Sequence, residues 1–219
     1  MRVVGNIYMY PEVGFDCNTY LIKDELTVIV DPGTNFNKLV KGLSRDGFNV
    51  KDVNLIINTH SHPDHCGINK VLKESSGAKI AMHRFELEHL NLSRKMARYL
   101  LAGLGLDDMD FKVDFYVEDE FSTGKLNFKI IHTPGHSPGS ICLYNEDFKV
   151  LICGDLVFNG GVGRTDFPGG DSVQLKNSIE KIAKLDIEYL LPGHMDIVVG
   201  EVNVKRNFEF IRQVYFNLL

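Results

Sequence analysis

Four side chains that can bind a metal lie within the six-residue segment HSHPDH, residues 60–65. Imidazoles and a carboxylate gathered in one loop have few favourable partners other than a cation, so this segment indicates a metal site. Its first two histidines, one residue apart in an extended segment, point to the same side and can bind one ion. Pro63 favours the start of a helix, so Asp64 and His65 leave in another direction. The segment therefore predicts two neighbouring metal ions.

Three later residues can complete the two sites. His136, Asp155 and His194 each follow an apolar run that stops at a Gly or Pro turn, as residues 53–57 do before the histidine segment. Four such strands are expected to deliver their ligands at one edge of a layered sheet structure. The predicted ligands of the first ion are His60, His62 and His136, those of the second are Asp64, His65 and His194, and Asp155 bridges the two ions.

The elements that must position these residues begin with strands. Alternating and β-branched apolar residues predict strands over residues 3–10, 18–22 and 27–30. A buried strand over residues 53–57 leads directly into the histidine segment. The second half of the chain repeats the strand pattern, and helices follow these strands.

Two helical segments bear on the site. Residues 84–106 interrupt the strand pattern with apolar residues at helical spacing, and this helical insertion near the cleft either covers the core or forms a lid. Met96 and Tyr99 are the candidates to line the cleft if it is a lid. A later amphipathic helix is capped by Asp171 or Ser172. The remaining histidines, and the cysteine after the histidine segment, are interpreted as ordinary polar or buried positions: His83, His89, His132 and Cys66.

Composition narrows the classes of function. The chain has 219 residues, 44% of them hydrophobic and 24% charged, which predicts a single globular domain over residues 1–219. The net charge of −5, without a long Lys or Arg run, argues against a nucleic-acid partner. No signal peptide or membrane span is recognised, and the four cysteines are scattered. We therefore expect a cytoplasmic protein without a membrane partner; its oligomeric state is left open.

The chemistry of the predicted site follows from its ligands. Two divalent ions about 3.5 to 4 Å apart can share one water, lower its pKa and present it as hydroxide to an electrophilic carbon. Imidazoles and carboxylates suit zinc, iron or manganese, alone or mixed, so the ligands do not select the metal. Asp64 and Asp155 are the predicted catalytic residues, since Asp64 can accept a hydrogen bond from the nucleophile while Asp155 holds both ions.

Four motifs in this order resemble the metallo-β-lactamase superfamily: HSHPDH, HTPGHSPG at residues 132–139, CGD at 153–155 and LLPGH at 190–194. The resemblance implies an α+β fold, an αββα four-layer sandwich of two mixed sheets with helices on the outer faces. It also implies a dinuclear site at one edge of the sheets. Asp31 matches an aspartate that supports the ligands from behind in this family.

The segment GVGRTDFPGGD, residues 161–171, is similar to that of short hydroxyacylglutathione hydrolases, or glyoxalase II-like proteins. This resemblance implies hydrolysis of a small-molecule thioester such as a hydroxyacyl-glutathione. Arg164 occupies a loop position where glutathione-specific relatives carry a cation, and Asp166 stands where those enzymes place an aromatic residue. The substrate-binding candidates are Arg164, Asp166 and Phe167.

Two other activities fit the same motifs. Persulfide dioxygenases of this superfamily carry a related RTDF segment, and the resemblance implies that they hold one iron with two histidines and an aspartate. The corresponding residues here are His60, His136 and Asp155. A lactonase with the dinuclear site is the other alternative. Metal content per chain and oxygen consumption on a persulfide separate the dioxygenase from the hydrolases.

Overall fold

Fifteen strands, six α-helices and a short 3-10 helix (Val50–Asp52) are found in the described part of the chain, residues 1–100 and 109–219 of the computed structural model. The strands are β1 (Arg2–Val4), β2 (Ile7–Tyr10), β3 (Thr19–Lys23), β4 (Thr27–Val30), β5 (Leu55–Ile57), β6 (Lys79–Met82), β7 (Phe115–Tyr116), β8 (Glu120–Ser122), β9 (Asn127–His132), β10 (Ile141–Asn145), β11 (Val150–Gly154), β12 (Val157–Phe158), β13 (Gly161–Val162), β14 (Tyr189–Pro192) and β15 (Val198–Val199). The helices are α1 (Phe36–Arg45), α2 (Pro63–Cys66), α3 (Asn69–Ser76), α4 (Glu86–Leu100), α5 (Ser172–Ile182) and α6 (Glu201–Tyr215).

The first sheet is mixed and contains β1 to β7 in chain order. Strands β1 to β4 pair antiparallel, and β4 to β7 pair parallel. The prediction of one strand over residues 3–10 is wrong, because the chain turns at Gly5 and folds back as the β1–β2 hairpin. Gly5 has φ +50°, a conformation that glycine adopts without a steric penalty. Both strands carry apolar residues, so the turn interrupts the pattern only weakly.

The second sheet is also mixed, with six strands in the order β15-β14-β11-β10-β9-β8. Only β11 and β14 pair parallel among its neighbours, and the other pairs are antiparallel. Strands β12 and β13 form a separate two-stranded ribbon. This ribbon follows β11 directly and carries part of the wall of the site described below.

Three apolar clusters define four layers. Buried residues of both sheets meet in a central cluster, for example Ile57 of β5 and Ile152 of β11. A second cluster packs α1, α3 and α4 on the outer face of the first sheet, and a third packs α5 and α6 on the outer face of the second. This is the αββα sandwich of the α+β class, and the predicted fold is confirmed.

The strand ends carry the predicted ligands into the same region. Strand β5 ends before the histidine segment, and α2 begins at Pro63, as the sequence predicts. Strands β9, β11 and β14 end before His136, Asp155 and His194 respectively. Because β5 belongs to the first sheet and the other three strands to the second, both sheets contribute candidate ligands to the same site.

The predicted helical insertion over residues 84–106 corresponds to α4 in its described part. Leu90 is buried in the cluster outside the first sheet, and Leu87 packs against that cluster, so this part of the helix covers the core. Residues 101–108 lie outside the described residues, as do the side chains of Met96 and Tyr99, so the lid interpretation stays a prediction. None of the described helices has the length and apolar character needed to cross a membrane.

Candidate metal centre

The first cluster consists of the three buried histidines His60, His62 and His136. Each offers one ring nitrogen within 4.8 Å of the others. Nδ1 of His62 lies 2.8 Å from Nε2 of His136. Two imidazole lone pairs at that distance repel each other unless a proton or a cation lies between them. The structure therefore brings together the three histidines that the sequence assigns to one ion.

The second cluster consists of Asp64, His65 and His194, again with ligand atoms within 4.8 Å of one another. Nε2 of His194 lies 3.2 Å from Oδ2 of Asp64 and 3.4 Å from Nε2 of His65. His65 is fully buried, whereas Asp64 and His194 are partly exposed. This cluster consequently has one closed side and one side open to solvent.

Asp155 lies between the two clusters. Its Oδ2 is 3.5 Å from Nε2 of His136 in the first cluster and 3.5 Å from Nε2 of His194 in the second. Its Oδ1 is 3.2 Å from Nε2 of His65. One carboxylate thus contacts ligands of both clusters, which is the arrangement that the sequence predicts for a bridging residue.

In four of the histidines the contacts of Nδ1 leave Nε2 free to bind a metal ion. Nδ1 of His65 donates to Oδ2 of Asp31 at 2.9 Å, and Nδ1 of His136 donates to a backbone carbonyl at 2.8 Å. Nδ1 of His194 faces Oε2 of Glu12 at 2.6 Å, and Nδ1 of His60 lies 3.1 Å from a threonine hydroxyl. With the proton on Nδ1, each imidazole keeps its Nε2 lone pair for a metal ion.

Buried polar atoms without partners support the same conclusion. Five buried side-chain atoms of the described residues have no hydrogen-bond partner, and three belong to this site: Nε2 of His60, Nε2 of His62 and Oδ1 of Asp155. Oδ1 of Asp155 is close to His65 but is not aligned to accept a hydrogen bond from it. Unpaired buried polar atoms are costly, and a bound cation would satisfy Nε2 of His60 and Oδ1 of Asp155. The residues therefore fit a metal centre.

Burial and mutual repulsion set the charge of the first cluster. Burial, then the neighbouring His65 and His136, lowers the pKa of His60 well below its usual value. Burial, with His136, lowers the pKa of His62 to about 3. Burial opposes ionisation of Asp155, but the electrostatic effect of the neighbouring His65, His136 and His194 outweighs it, so the pKa of Asp155 is lowered. Neutral imidazoles beside an anionic carboxylate are the protonation states that bind divalent metals.

Asp31 supports the site from behind, as the family resemblance implies. Besides its bond to His65, its Oδ1 accepts the backbone N–H of Thr59 at 2.8 Å and its Oδ2 accepts the Thr59 hydroxyl at 2.6 Å. Thr59 in turn contacts His60. Asp31 has φ +51°, a left-handed conformation that costs a non-glycine residue about 1 to 3 kcal/mol. The carboxylate therefore orients one histidine of each cluster from a constrained backbone position.

Sequence reasoning missed Glu86, which connects two ligand loops to helix α4. Its buried carboxylate accepts the backbone N–H and hydroxyl of Ser61, at 2.9 and 2.7 Å, and faces Nδ1 of His89 at 3.1 Å. Its other oxygen accepts the Ser137 hydroxyl at 2.9 Å and the backbone N–H of Gly139 at 2.8 Å. The only local signal is an acidic residue three positions before a histidine, a spacing common on exposed helices.

His89 differs from its interpretation as an ordinary polar position, because it is buried and links helix α4 to the loop that follows the predicted substrate-binding residues. Its Nε2 donates to the backbone carbonyl of Pro168 at 2.7 Å. His83 and His132 instead stack on each other, with ring centroids 4.4 Å apart. Cys66 is a buried free thiol whose Sγ contacts two backbone carbonyls, as expected for a structural cysteine.

A cavity of about 520 Å³ opens beside both clusters. Phe167 flanks His62 with ring centroids 5.8 Å apart, and Phe158 of the β12–β13 ribbon flanks His194 at the same distance. Arg164 and Phe167 line the cavity, and Asp166 lies between them in the chain. The three predicted substrate-binding residues therefore lie at or next to the cavity wall.

A known protein family and two individual relatives match most of this chain in sequence. The model of the metallo-beta-lactamase superfamily matches residues 13–194, a range that contains every predicted ligand. A probable metallo-hydrolase of Methanocaldococcus jannaschii is 35% identical over 206 residues, 91% of this chain and 95% of that protein. The hydroxyacylglutathione hydrolase GloC of Haemophilus influenzae is 34% identical over 204 residues, 89% of this chain and 88% of that protein.

The solved structure of a further protein has the same fold as this chain. The protein TTHA1623, crystallised in a di-iron-bound form, superimposes with a TM-score of 0.77 and 29% sequence identity. The match covers 90% of this chain and 96% of that protein. The fold is therefore shared with a protein that was crystallised with two iron ions bound.

Proposed function

Because the chain belongs to the metallo-beta-lactamase superfamily, whose members bind divalent metals such as zinc or iron, we propose that it hydrolyses thioesters with two such ions bound. The proposed substrate is a small-molecule hydroxyacyl thioester. The proposed ligands are the seven residues of the two clusters and their bridge: His60, His62, Asp64, His65, His136, Asp155 and His194.

The position of Asp155 carries the proposal of two ions. Its two oxygens contact ligands of both clusters at 3.2 to 3.5 Å, and each cluster has three ligands of its own. A single ion held by His60, His136 and Asp155 would leave the convergent atoms of Asp64, His65 and His194 without a cation. The di-iron form of the related TTHA1623 supports the same number. Zinc, iron and manganese all suit this ligand set.

Thioester hydrolysis forms a C–O bond to water, breaks the C–S bond and releases a carboxylic acid and a thiol. When bound, two divalent ions would lower the pKa of a shared water and polarise the carbonyl oxygen. Asp64 is the partly exposed carboxylate at the cavity, so we assign it to accept a hydrogen bond from the attacking water. A thiol leaves readily as its anion, so the reaction needs no dedicated general acid.

The substrate assignment rests on relatives and on the cavity wall. Hydroxyacylglutathione hydrolases are among the proteins that cover most of this chain at about one-third identity. We propose that Arg164, Asp166 and Phe167 shape the part of the cavity that receives the substrate. Asp31 is proposed to orient His65 rather than to contact substrate.

Metal analysis combined with two assays tests this function. Protein purified without added metal should contain about two divalent ions per chain and should hydrolyse 2-hydroxyacyl thioesters of glutathione or of a small neutral thiol. Oxygen uptake with a persulfide tests the alternative dioxygenase, and hydrolysis of a lactone panel tests the lactonase. One iron per chain with rapid oxygen uptake and no thioester hydrolysis would overturn the proposal.

Asp155→Asn tests the bridge. The amide removes the negative charge that contacts both clusters, so we expect metal content to fall below one ion per chain and turnover to fall by at least about a hundredfold. Thermal unfolding should remain cooperative. Asp196→Asn, at an exposed aspartate two residues after His194, is the control and should keep metal and activity. Full metal content and activity in Asp155→Asn would refute the bridging role.

A further inference from the structure

The guanidinium of Arg164 is already occupied by groups of its own loop. Its Nε and a terminal nitrogen both donate to the carboxylate of Asp166 at 2.6 Å, a bidentate ion pair. Its central carbon also lies 3.7 Å from the ring centroid of Phe167. The hydrogen bond from Arg164 lowers the pKa of Asp166 to about 2, so the pair is ionised at neutral pH. Arg164 therefore presents a neutralised edge to the cavity.

No other Lys or Arg of the described residues lines this cavity. Lys38, in helix α1 four residues after the cavity residue Thr34, donates its ammonium to Oδ2 of Asp16 at 2.6 Å and to the carbonyl of Cys17 at 3.3 Å. It does not reach the cavity lining. A substrate carboxylate near Arg164 would meet a guanidinium whose charge is already paired with the carboxylate of Asp166.

The cavity offers apolar surface instead. Phe158 and Phe167 flank opposite clusters, and Val162 of the ribbon contributes to the wall. Phe15 stands at the rim with 76% of its surface exposed. Exposed aromatic surface beside a reactive site gains stability when an apolar ligand covers it, at roughly 25 cal/mol per Å² of buried area.

We infer that the thiol part of the substrate is uncharged and apolar, received between the phenylalanines, and that the Arg164–Asp166 pair excludes thiol carriers with carboxylates. This inference rests on the proposed thioester hydrolysis and specifies its substrate class. Phe158 and Phe167 bind the thiol portion, and Asp166 is a specificity residue that acts through Arg164 and by its own negative charge.

A matched pair of substrates tests the inference. The 2-hydroxyacyl thioesters of benzyl mercaptan and of 4-(mercaptomethyl)benzoic acid share one ring and differ by a carboxylate fixed at its far end. For the wild-type protein we expect kcat/KM at least tenfold higher for the benzyl thioester. Calorimetric titration with the corresponding non-hydrolysable thioethers should show the same order of dissociation constants.

The Asp166→Asn variant tests whether the Arg164–Asp166 ion pair, rather than the net charge of the protein, disfavours the carboxylate-bearing substrate. The variant frees the guanidinium of Arg164, so the ratio of kcat/KM for the carboxylate-bearing thioester to kcat/KM for the benzyl thioester should rise at least tenfold. Asp147→Asn removes one negative charge at an exposed position elsewhere and is the control for net charge. It should leave both values unchanged.

The outcomes distinguish this inference from the proposed function. Equal rates, a preference for the carboxylate-bearing thioester, or an Asp166→Asn variant with the wild-type preference would overturn the inference while thioester hydrolysis stands. If the metal-loaded protein hydrolyses neither thioester, the proposed function fails. The thioether titration then still decides whether the cavity selects uncharged ligands, with tighter binding of the carboxylate-bearing thioether overturning the inference.

Discussion

Gly193 leaves no room for an added atom beside the side chains of Asp155 and His65. A Cβ there would lie 2.2 Å from Oδ1 of Asp155 and 2.7 Å from Cε1 of His65. Both neighbours are packed among other ligands and cannot move away freely. The backbone of the loop before His194 can therefore approach the carboxylate of Asp155, the proposed bridge, because Gly193 has no side chain.

Gly193→Ala should lower metal content and thioesterase activity because the methyl group must displace Asp155 or His65. We expect a loss of about 1 to 3 kcal/mol in stability, typical of overpacking, and at least a tenfold loss of turnover. Metal analysis and thermal unfolding measure the two effects. Gly161→Ala is the control, since a Cβ there meets no atom closer than 3.5 Å and the residue has no positive φ. Equal metal content in both variants would contradict the argument.

Helix α4 is the element that ties the site together without supplying a ligand. Glu86, in its first turn, accepts hydrogen bonds from the loop after β5 and from the loop after β9. His89, one turn later, reaches the loop that carries the substrate candidates. The position of the helix on the first sheet is therefore coupled to ligand loops from both sheets.

Glu86→Gln should destabilise the protein by about 3 kcal/mol at neutral pH, because an amide N–H would face donors that now meet a buried carboxylate. Denaturant unfolding measures the loss. Glu88→Gln, an exposed position on the same helix, is the control and should change stability by less than about 0.5 kcal/mol.

The loss in Glu86→Gln should depend on pH. Burial opposes ionisation of Glu86, but hydrogen bonds from His89 and Ser61 lower its pKa from 4.5 to about 2. A lowered folded-state pKa stabilises the protein fully above pH 4.5, and this contribution is lost as the pH falls toward 2. The stability gap between wild type and variant should therefore narrow as the pH falls below 4.5. A gap that widens on acidification would show that the carboxylate is not the cause.

At the scale of the whole molecule, the proposed centre joins the two halves of the sandwich. The histidine segment comes from the first sheet, whereas His136, Asp155 and His194 follow strands of the second. Glu12, in the loop after β2, contacts His194 across 182 positions of the chain. Bound ions would thus cross-link segments that are distant in sequence, so metal binding should stabilise the fold as well as the site.

Removal of metal by a chelator should lower the melting temperature by several degrees, and restoring zinc or iron should reverse the change. For a chain of this length, about 1 kcal/mol of binding-derived stability corresponds to roughly 2–4 °C. Scanning calorimetry with and without chelator measures the shift. The Asp155→Asn variant should show a smaller shift than wild type. Identical melting temperatures of the metal-loaded and metal-free protein would argue against a centre that joins the two sheets.

The sequence by itself determines the ligand types, their order along the chain and the layered fold. HSHPDH and the turns before His136, Asp155 and His194 are local patterns that can be recognised in the sequence. Each follows a predicted strand, and the loops after neighbouring strands of a layered protein can meet at one edge of its sheets. The sequence did not decide between Asp171 and Ser172 as the N-cap of helix α5. In the structure Asp171 is the N-cap, and its side chain accepts the N–H of Gln174 at 2.9 Å. The prediction of one strand over residues 3–10 was wrong, because the positive φ of Gly5 allows the chain to turn there and form two strands.

Only the tertiary structure decided which residues support the ligands and what the cavity can receive. Glu86 meets Ser137 across 51 positions, and Glu12 meets His194 across 182, so no local pattern marks either acid. Arg164 and Asp166 are neighbours in sequence, so their pairing is local. Whether the cavity can receive a substrate carboxylate also depends on whether its lining holds other cations, and the lining residues come from distant parts of the chain. The physical reason is the same in each case: a charge acquires its role from the groups that burial places against it.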